Sequence, residues 1–189
     1  MEIWEEIAAD ANTGAERLIA EYGDRLLTSA SFLTGNAADA EDLVFRTFSR
    51  VVERISQYSR RSSFYTWIYS IMLNFRKMDL RRRGANALDF TDEPLEAEDP
   101  RPNPSESFLM AASADTVRAA VAELPESLRA VVVLTYFEDM DVNCVSRVLG
   151  IAAGSVKSRL FRARRRLAWT IARTEAAERA SKMAGGTSA

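Results

Sequence analysis

From residue 85 to residue 107 the chain reads ANALDFTDEPLEAEDPRPNPSES, and this stretch constrains everything on either side of it. Four of the five prolines fall here (Pro94, Pro100, Pro102 and Pro104), set among acids, and no apolar period of two or 3.6 residues runs through. A segment of this kind cannot continue a core, so it reads as a flexible linker with extended stretches. About 25 residues at roughly 3.3 Å each reach up to about 80 Å. Two domains tethered in this way are free to sit far apart on one partner.

Both flanks carry helical periodicity. Leu18, Ile19, Tyr22, Leu26, Leu27, Ala30 and Leu33 recur at three- and four-residue steps, predicting an amphipathic helix over residues 13–33 that Gly35-Asn36 ends. Asp39 is an N-cap candidate for a second helix, striped by Leu43, Val44, Thr47, Phe48, Val51, Val52 and Ile55. Ser56 to Ser63 is polar and loop-like. A third helix from about Phe64 to Arg83 sets Trp67, Ile68, Ile71, Met72 and Phe75 on one side. Beyond the linker, residues 113–123 predict a helix and Leu124-Pro125 the start of a stronger one, with core from Val131, Val132, Leu134 and Tyr136-Phe137. VNCVSRVLG then predicts a short helix closed by Gly150, followed by IAAGSVKSRLFRARRRL. The expected fold is all-α: a helical domain over 1–84, an acidic linker over 85–112, a second helical domain with a helix-turn-helix over 113–173, and a flexible tail over 174–189.

The residue inventory excludes much chemistry. The chain has no His and a single Cys, Cys144, so it offers no Cys/His zinc site, no disulfide and no Ser-His or Cys-His nucleophile pair. The 8 Gly are scattered, and no phosphate-binding Gly motif occurs. Carboxylate pairs such as Glu5-Glu6 and Glu138-Asp139 fall in acidic stretches that read as surface. Cys144 reads as a small buried hydrophobe. No cofactor is expected, nor a membrane span. The acidic N-terminus lacks a signal-peptide pattern, which predicts a cytoplasmic protein.

A formal net charge of −2 conceals strong segregation. Residues 1–45 hold ten acids against two bases, 46–83 ten bases against two acids, and 84–127 ten acids against two bases. Residues 154–173 then carry seven bases and no acid. Two basic blocks, each preceded by an acidic one, point to two nucleic-acid contacts on one chain.

The second block lies on the helix-turn-helix. Val156, Leu160, Ala163 and Leu167 define its buried face. The remainder includes Ser155, Lys157, Ser158, Arg159, Phe161, Arg162 and Arg165: arginines for guanine edges, hydroxyls for phosphates, a ring for a thymine methyl. Lys157, Ser158, Arg159 and Arg162 are placed to enter the groove. In the first block, Arg60-Arg61-Ser62-Ser63-Phe64-Tyr65-Thr66-Trp67 gathers rings, hydroxyls and cations, and Asn74, Arg76, Lys77 and Arg81 follow on the same helix. Rings beside cations suit unpaired bases, although Phe64 and Trp67 taken singly fit a core equally well.

These segments resemble a known family. YGDRLL (22–27), LTGNAADAEDLV (33–44), FRTF, RSSFYTWIYSI and Asn74…Asp79…Arg81-Arg82-Arg83 are similar to the first domain of the extracytoplasmic-function (ECF) sigma factors of bacterial RNA polymerase. ELPESLRAVVVLTYFEDMD and LGIAAGSVKSRLFRARRRL resemble their C-terminal domain. The resemblance implies that Asp39, Glu41, Asp42, Leu43, Val44 and Phe48 dock on the β′ clamp helices of core polymerase. It implies that Arg61, Ser62, Ser63, Phe64, Trp67, Asn74, Lys77 and Arg81 hold melted minus-ten DNA, paying for the unstacking of its bases. The residues from Ser155 to Arg165 would bind the duplex minus-thirty-five element while their domain rests on the β-flap, and an anti-sigma factor is a further implied partner. Three places depart from the family's pattern: Phe45-Arg46 stands where Gln with Glu or Asp is usual, Asp141–Cys144 replaces a Leu-Ser-Tyr-Glu-Glu type of opening, and Ser70 stands where a base is frequent. Two rivals remain: a helix-turn-helix regulator that never engages polymerase, and a degenerate sigma-like interaction protein.

Overall fold

A computed structural model describes residues 1–83 and 113–185; the linker expected over 85–112, and the end of the tail, lie outside the described residues. The described residues form helices and turns only.

The first domain opens with α1 (Ile3–Ala9) and α2 (Ala11–Thr34). Asp10 joins them as the N-cap of α2, accepting from the Asn12 amide at 3.0 Å and the Thr13 hydroxyl at 2.6 Å. Gly35 closes α2 in the left-handed conformation (φ 80°) that a residue without Cβ adopts without strain. α3 (Ala37–Glu53) starts two residues earlier than the expected Asp39 cap, because Asn36 is the cap. Its Oδ1 accepts from the Asp39 amide at 2.8 Å, while its Nδ2 donates to Asp39 Oδ2 at 2.9 Å. After a 3₁₀ turn (Ile55–Gln57), α4 (Phe64–Arg82) is capped by Ser63. α2, α3 and α4 pack around Leu18, Leu26, Leu33, Leu43, Val51, Ile68 and Met72. Ile19, counted in the apolar stripe of α2, is instead exposed.

The second domain comprises α5 (Ala114–Ala122), α6 (Glu126–Val132), α7 (Val142–Leu149) and α8 (Ala153–Gly185). The last is a single helix that runs on past Thr174, where the sequence leads one to expect a flexible tail. α6 passes directly into a π-turn, Val133–Phe137, in which the Glu138 amide reaches back to the Val133 carbonyl at 3.1 Å. This wider turn takes Tyr136 out of the expected core, leaving it exposed.

The two domains touch. Phe32 of α2 meets Phe137 with ring centroids 4.0 Å apart. Arg76 of α4 makes a two-pronged ion pair to Glu126 of α6, at 2.9 and 3.1 Å. Arg129 donates to the Leu33 carbonyl at the end of α2 at 3.2 Å. Glu138, expected on the surface, is 2% exposed. It accepts from Arg25 Nε at 2.8 Å and from the Ser29 hydroxyl, and Arg25 also donates to its carbonyl at 3.0 Å. The first-domain partners of that carboxylate lie more than a hundred positions away in the chain.

Candidate nucleic-acid interface

The helix-turn-helix is α7, a turn, and the first half of α8. Asp141 caps α7 by accepting from the Asn143 and Cys144 amides at 2.7 and 2.8 Å. Gly150 (φ 71°) ends it, its amide donating to the Ser146 carbonyl at 2.9 Å. The Ser146 hydroxyl spans the turn to the Ile151 carbonyl at 2.6 Å. Val145, Leu149, Val156, Leu160, Ala163 and Leu167 are buried, so the expected inner face of α8 is the observed one. That inner face fixes which side chains point outward. Lys157 and Phe161 are exposed, and Ser155, Ser158, Arg162 and Arg165 half-buried. Arg159 is 3% exposed in this state. Arg165 lies over the Phe161 ring, 5.9 Å from its centroid, so an apolar plate and a cation occupy one exposed strip.

On α4 the expected residues divide. Arg61, Ser63, Asn74 and Arg81 are exposed; Ser62, Trp67 and Lys77 are half-buried. Phe64, 4% exposed, belongs to the core. It sits in an aromatic cluster with Trp4, Tyr22, Tyr58 and Trp67, with centroids 5.1–6.2 Å from its own. Phe64 therefore backs Trp67, stacked at 5.8 Å, and the cation-bearing loop is held from behind by the Tyr58 hydroxyl, which donates to the Ser62 carbonyl at 2.8 Å. Sequence reasoning missed Trp4 and α1 altogether. Arg60 reaches across this cluster, its guanidinium 5.4 Å from the Trp4 ring. Lys77 donates to the Leu149 carbonyl of α7 at 3.5 Å; burial, then repulsion from Arg81, lowers its pKa from the usual lysine value.

The candidate docking residues on α3 divide in the same way. Leu43, Val44 and Phe48 are buried and anchor the helix, whereas Glu41 and Asp42 face solvent. Phe45, 72% exposed, shares their face. Arg46 turns away to Asp79 of α4, with bonds of 3.0 and 2.5 Å that hold its guanidinium pKa above the ordinary value. Asp39 accepts from Arg83 at 2.8 Å; its bond to Asn36 first, and Arg83 second, lower its pKa below the usual carboxylate value. Among the described residues no cluster of Cys, Asp and Glu is arranged to hold a metal, and no helix is long and apolar enough to cross a membrane.

Residues 18–86 match the family model of Sigma-70 region 2, and residues 114–167 that of Sigma-70 region 4. The chain is 33% identical to the ECF RNA polymerase sigma factor SigE of Mycolicibacterium smegmatis over 80% of its own length and 59% of that relative's. It belongs to the ECF sigma factors. The sigma factor is also 28% identical to the RNA polymerase sigma-H factor of Pseudomonas aeruginosa, over 78% of its length and 80% of the relative's. Its fold is that of the sigma factor RpoE of Bartonella quintana, solved with the anti-sigma factor NepR (TM-score 0.64, 23% identity, covering 82% of this chain and 95% of that one). CnrH, solved with the cytosolic domain of CnrY, is similar at a TM-score of 0.61 and 23% identity, covering 87% and 92%. The region 2 match takes in α2, α3 and α4; the region 4 match runs from α5 to Leu167. Both helix α1 and the rest of α8 lie beyond these matches.

Proposed function

We propose that this sigma factor binds core RNA polymerase and directs initiation at specific promoters, with α4 and its preceding loop on melted minus-ten DNA and α8 on duplex minus-thirty-five DNA. The observation that carries the reading is the pairing, on one chain, of two differently built cationic surfaces. α8 presents Lys157, Phe161, Arg162 and Arg165 on a rigid helix above a tight turn, a shape suited to a major groove. The loop before α4 instead sets Arg61, Ser62 and Ser63 beside Trp67, with Asn74 exposed further along, a combination suited to bases already out of the stack. Arg159 reaches DNA only once uncovered. Glu41, Asp42 and Phe45 form the outward face of α3 and are assigned to the β′ clamp helices, with Asp39 at its edge; Leu43, Val44 and Phe48 hold that helix in place. The second domain rests on the β-flap, and an anti-sigma factor is the regulatory partner, as the NepR-bound and CnrY-bound neighbours suggest. The protein works in the cytoplasm, as an initiation factor and not as a catalyst.

The experiment is run-off transcription. Purified chain added to core polymerase on genomic promoter fragments yields specific transcripts on this reading. Tight duplex binding with no polymerase engagement would establish a conventional regulator instead, and polymerase binding with no transcript an interaction protein.

A further inference from the structure

The contacts between the domains have no part in reading DNA, yet they are built from charges buried with specific partners. We propose that they form an intramolecular latch, centred on Glu138 and Glu126, which holds the free chain shut and must open before both promoter elements can be bound at once. This rests on the promoter-reading assignment above and adds a closed, non-binding state to it.

Distance makes the case. Lys77, assigned to the minus-ten strand, lies 3.5 Å from the Leu149 carbonyl, and α8 begins only four residues beyond, at Ala153. Four residues span at most about 14 Å, so in the closed chain the two reading elements start within about 20 Å of each other. The promoter elements they are assigned to stand about 25 base pairs apart, which is about 85 Å of duplex at about 3.4 Å per step. The closed chain cannot touch both. Moreover, Lys77 is engaged at the negative end of α7, so strand capture and closure compete for one ammonium.

The chemistry of the interface suits a latch better than a permanent seam. Glu138 is buried only because Arg25 and Ser29 meet it, and Glu126 because Arg76 and Arg129 do. Tyr65 and Tyr69 wall the first site, Arg25 lying 4.3 Å from the Tyr65 ring centroid. Burial first, and the Glu138 carboxylate next, push both phenols well above their ordinary range. Buried ion pairs specify a register strongly while adding little net stability, since water solvates both charges again on opening. Closure is thus unique in geometry and cheap to undo.

A cross-link tests this. The Thr66 hydroxyl of α4 lies 3.8 Å from the Cys144 thiol of α7, and Cys144 is the only cysteine. In Thr66→Cys a disulfide needs only small side-chain rotations. The variant is expected to cross-link under mild oxidation, to lose at least tenfold in run-off transcription when oxidised, and to recover on reduction. Failure to cross-link, or equal transcription by the oxidised and reduced forms, overturns the latch. Arg25→Ala provides an independent reading, because the Arg25 side chain is half exposed and neither domain core depends on it. Solution X-ray scattering of this variant should show a larger radius of gyration than wild type, with several-fold tighter binding of a duplex minus-thirty-five fragment; no change in either quantity also overturns the latch. Should wild type fail to initiate at all, the promoter-reading assignment falls, while cross-linking and scattering still decide whether the chain is latched.

Discussion

Gly14 stands where α2 crosses α1, and a Cβ built there would lie 2.4 Å from the Ile7 Cα. Alanine in a helix interior ordinarily gains about 1 kcal/mol over glycine. Here the obstacle is backbone, which cannot rotate aside, and overpacking of this sort costs about 1–3 kcal/mol. Gly14→Ala should therefore lower the urea midpoint despite its better propensity; a raised midpoint would mean that α1 is not docked on α2. Among the DNA residues, Arg162→Ala should weaken duplex minus-thirty-five binding by about 1–3 kcal/mol, and unchanged affinity in a gel-shift titration would remove it from the groove. Asn74 is exposed on α4, away from the α3 face. Asn74→Ala should slow open-complex formation, followed by permanganate footprinting, while core polymerase binding stays unchanged. Loss of core binding would place Asn74 on the wrong surface.

At the scale of elements, α7 depends on its cap. Asp141 accepts two amides, and Asp141→Ala should cost about 0.5–2 kcal/mol in thermal unfolding. Asp141→Asn, whose side-chain oxygen still accepts, should recover most of this. The start of α3 supplies a pH dependence. The folded pKa of Asp39 lies below its ordinary 3.8, so its contribution to stability is complete above that value and is lost as pH falls through the lowered one. Asp39→Asn should flatten acid unfolding in that window, as followed by circular dichroism. The helices themselves were legible because each long one carries an apolar stripe at the helical period, as Leu18, Leu26 and Leu33 do in α2. What escaped had no such stripe. α1 has seven residues and only Ile3 and Ile7 buried, too short to display a period. The π-turn lies within VVVLTYF, where an almost unbroken apolar run hides which residues face in. Asn36 and Asp39 are both good caps three positions apart, and sequence alone favoured the wrong one. For the candidate site, Lys157, Arg162, Asn74 and Arg81 were legible as charged or polar residues on the outer face of a striped helix. Phe64 and Phe45 were not: an aromatic residue's side of a helix is decided by the rings around it, and Trp4, which helps bury Phe64, is sixty residues away.

For the whole molecule the undecided quantity is how firmly the domains hold each other, which no local pattern encodes. Glu138 follows an apolar run and precedes Asp139, so it reads as surface until Arg25 and Ser29 arrive from α2. Arg25→Ala separates two possibilities. If the domains stayed shut, a carboxylate would remain buried without its guanidinium, and removing one partner of a buried pair costs about 3–5 kcal/mol. If they part, Glu138 is solvated again, and the loss is capped at the free energy of closure. An interface joined by ion pairs and one ring contact, Phe32 on Phe137, should reach that cap first. Urea unfolding followed by the tryptophans of each domain, Trp4 and Trp67 in one and Trp169 in the other, is therefore expected to change from one shared transition in wild type to two separate ones in Arg25→Ala, with a loss below about 3 kcal/mol. A single transition displaced by the full amount would show instead that closure is part of the core, and that opening on the promoter requires energy from polymerase itself.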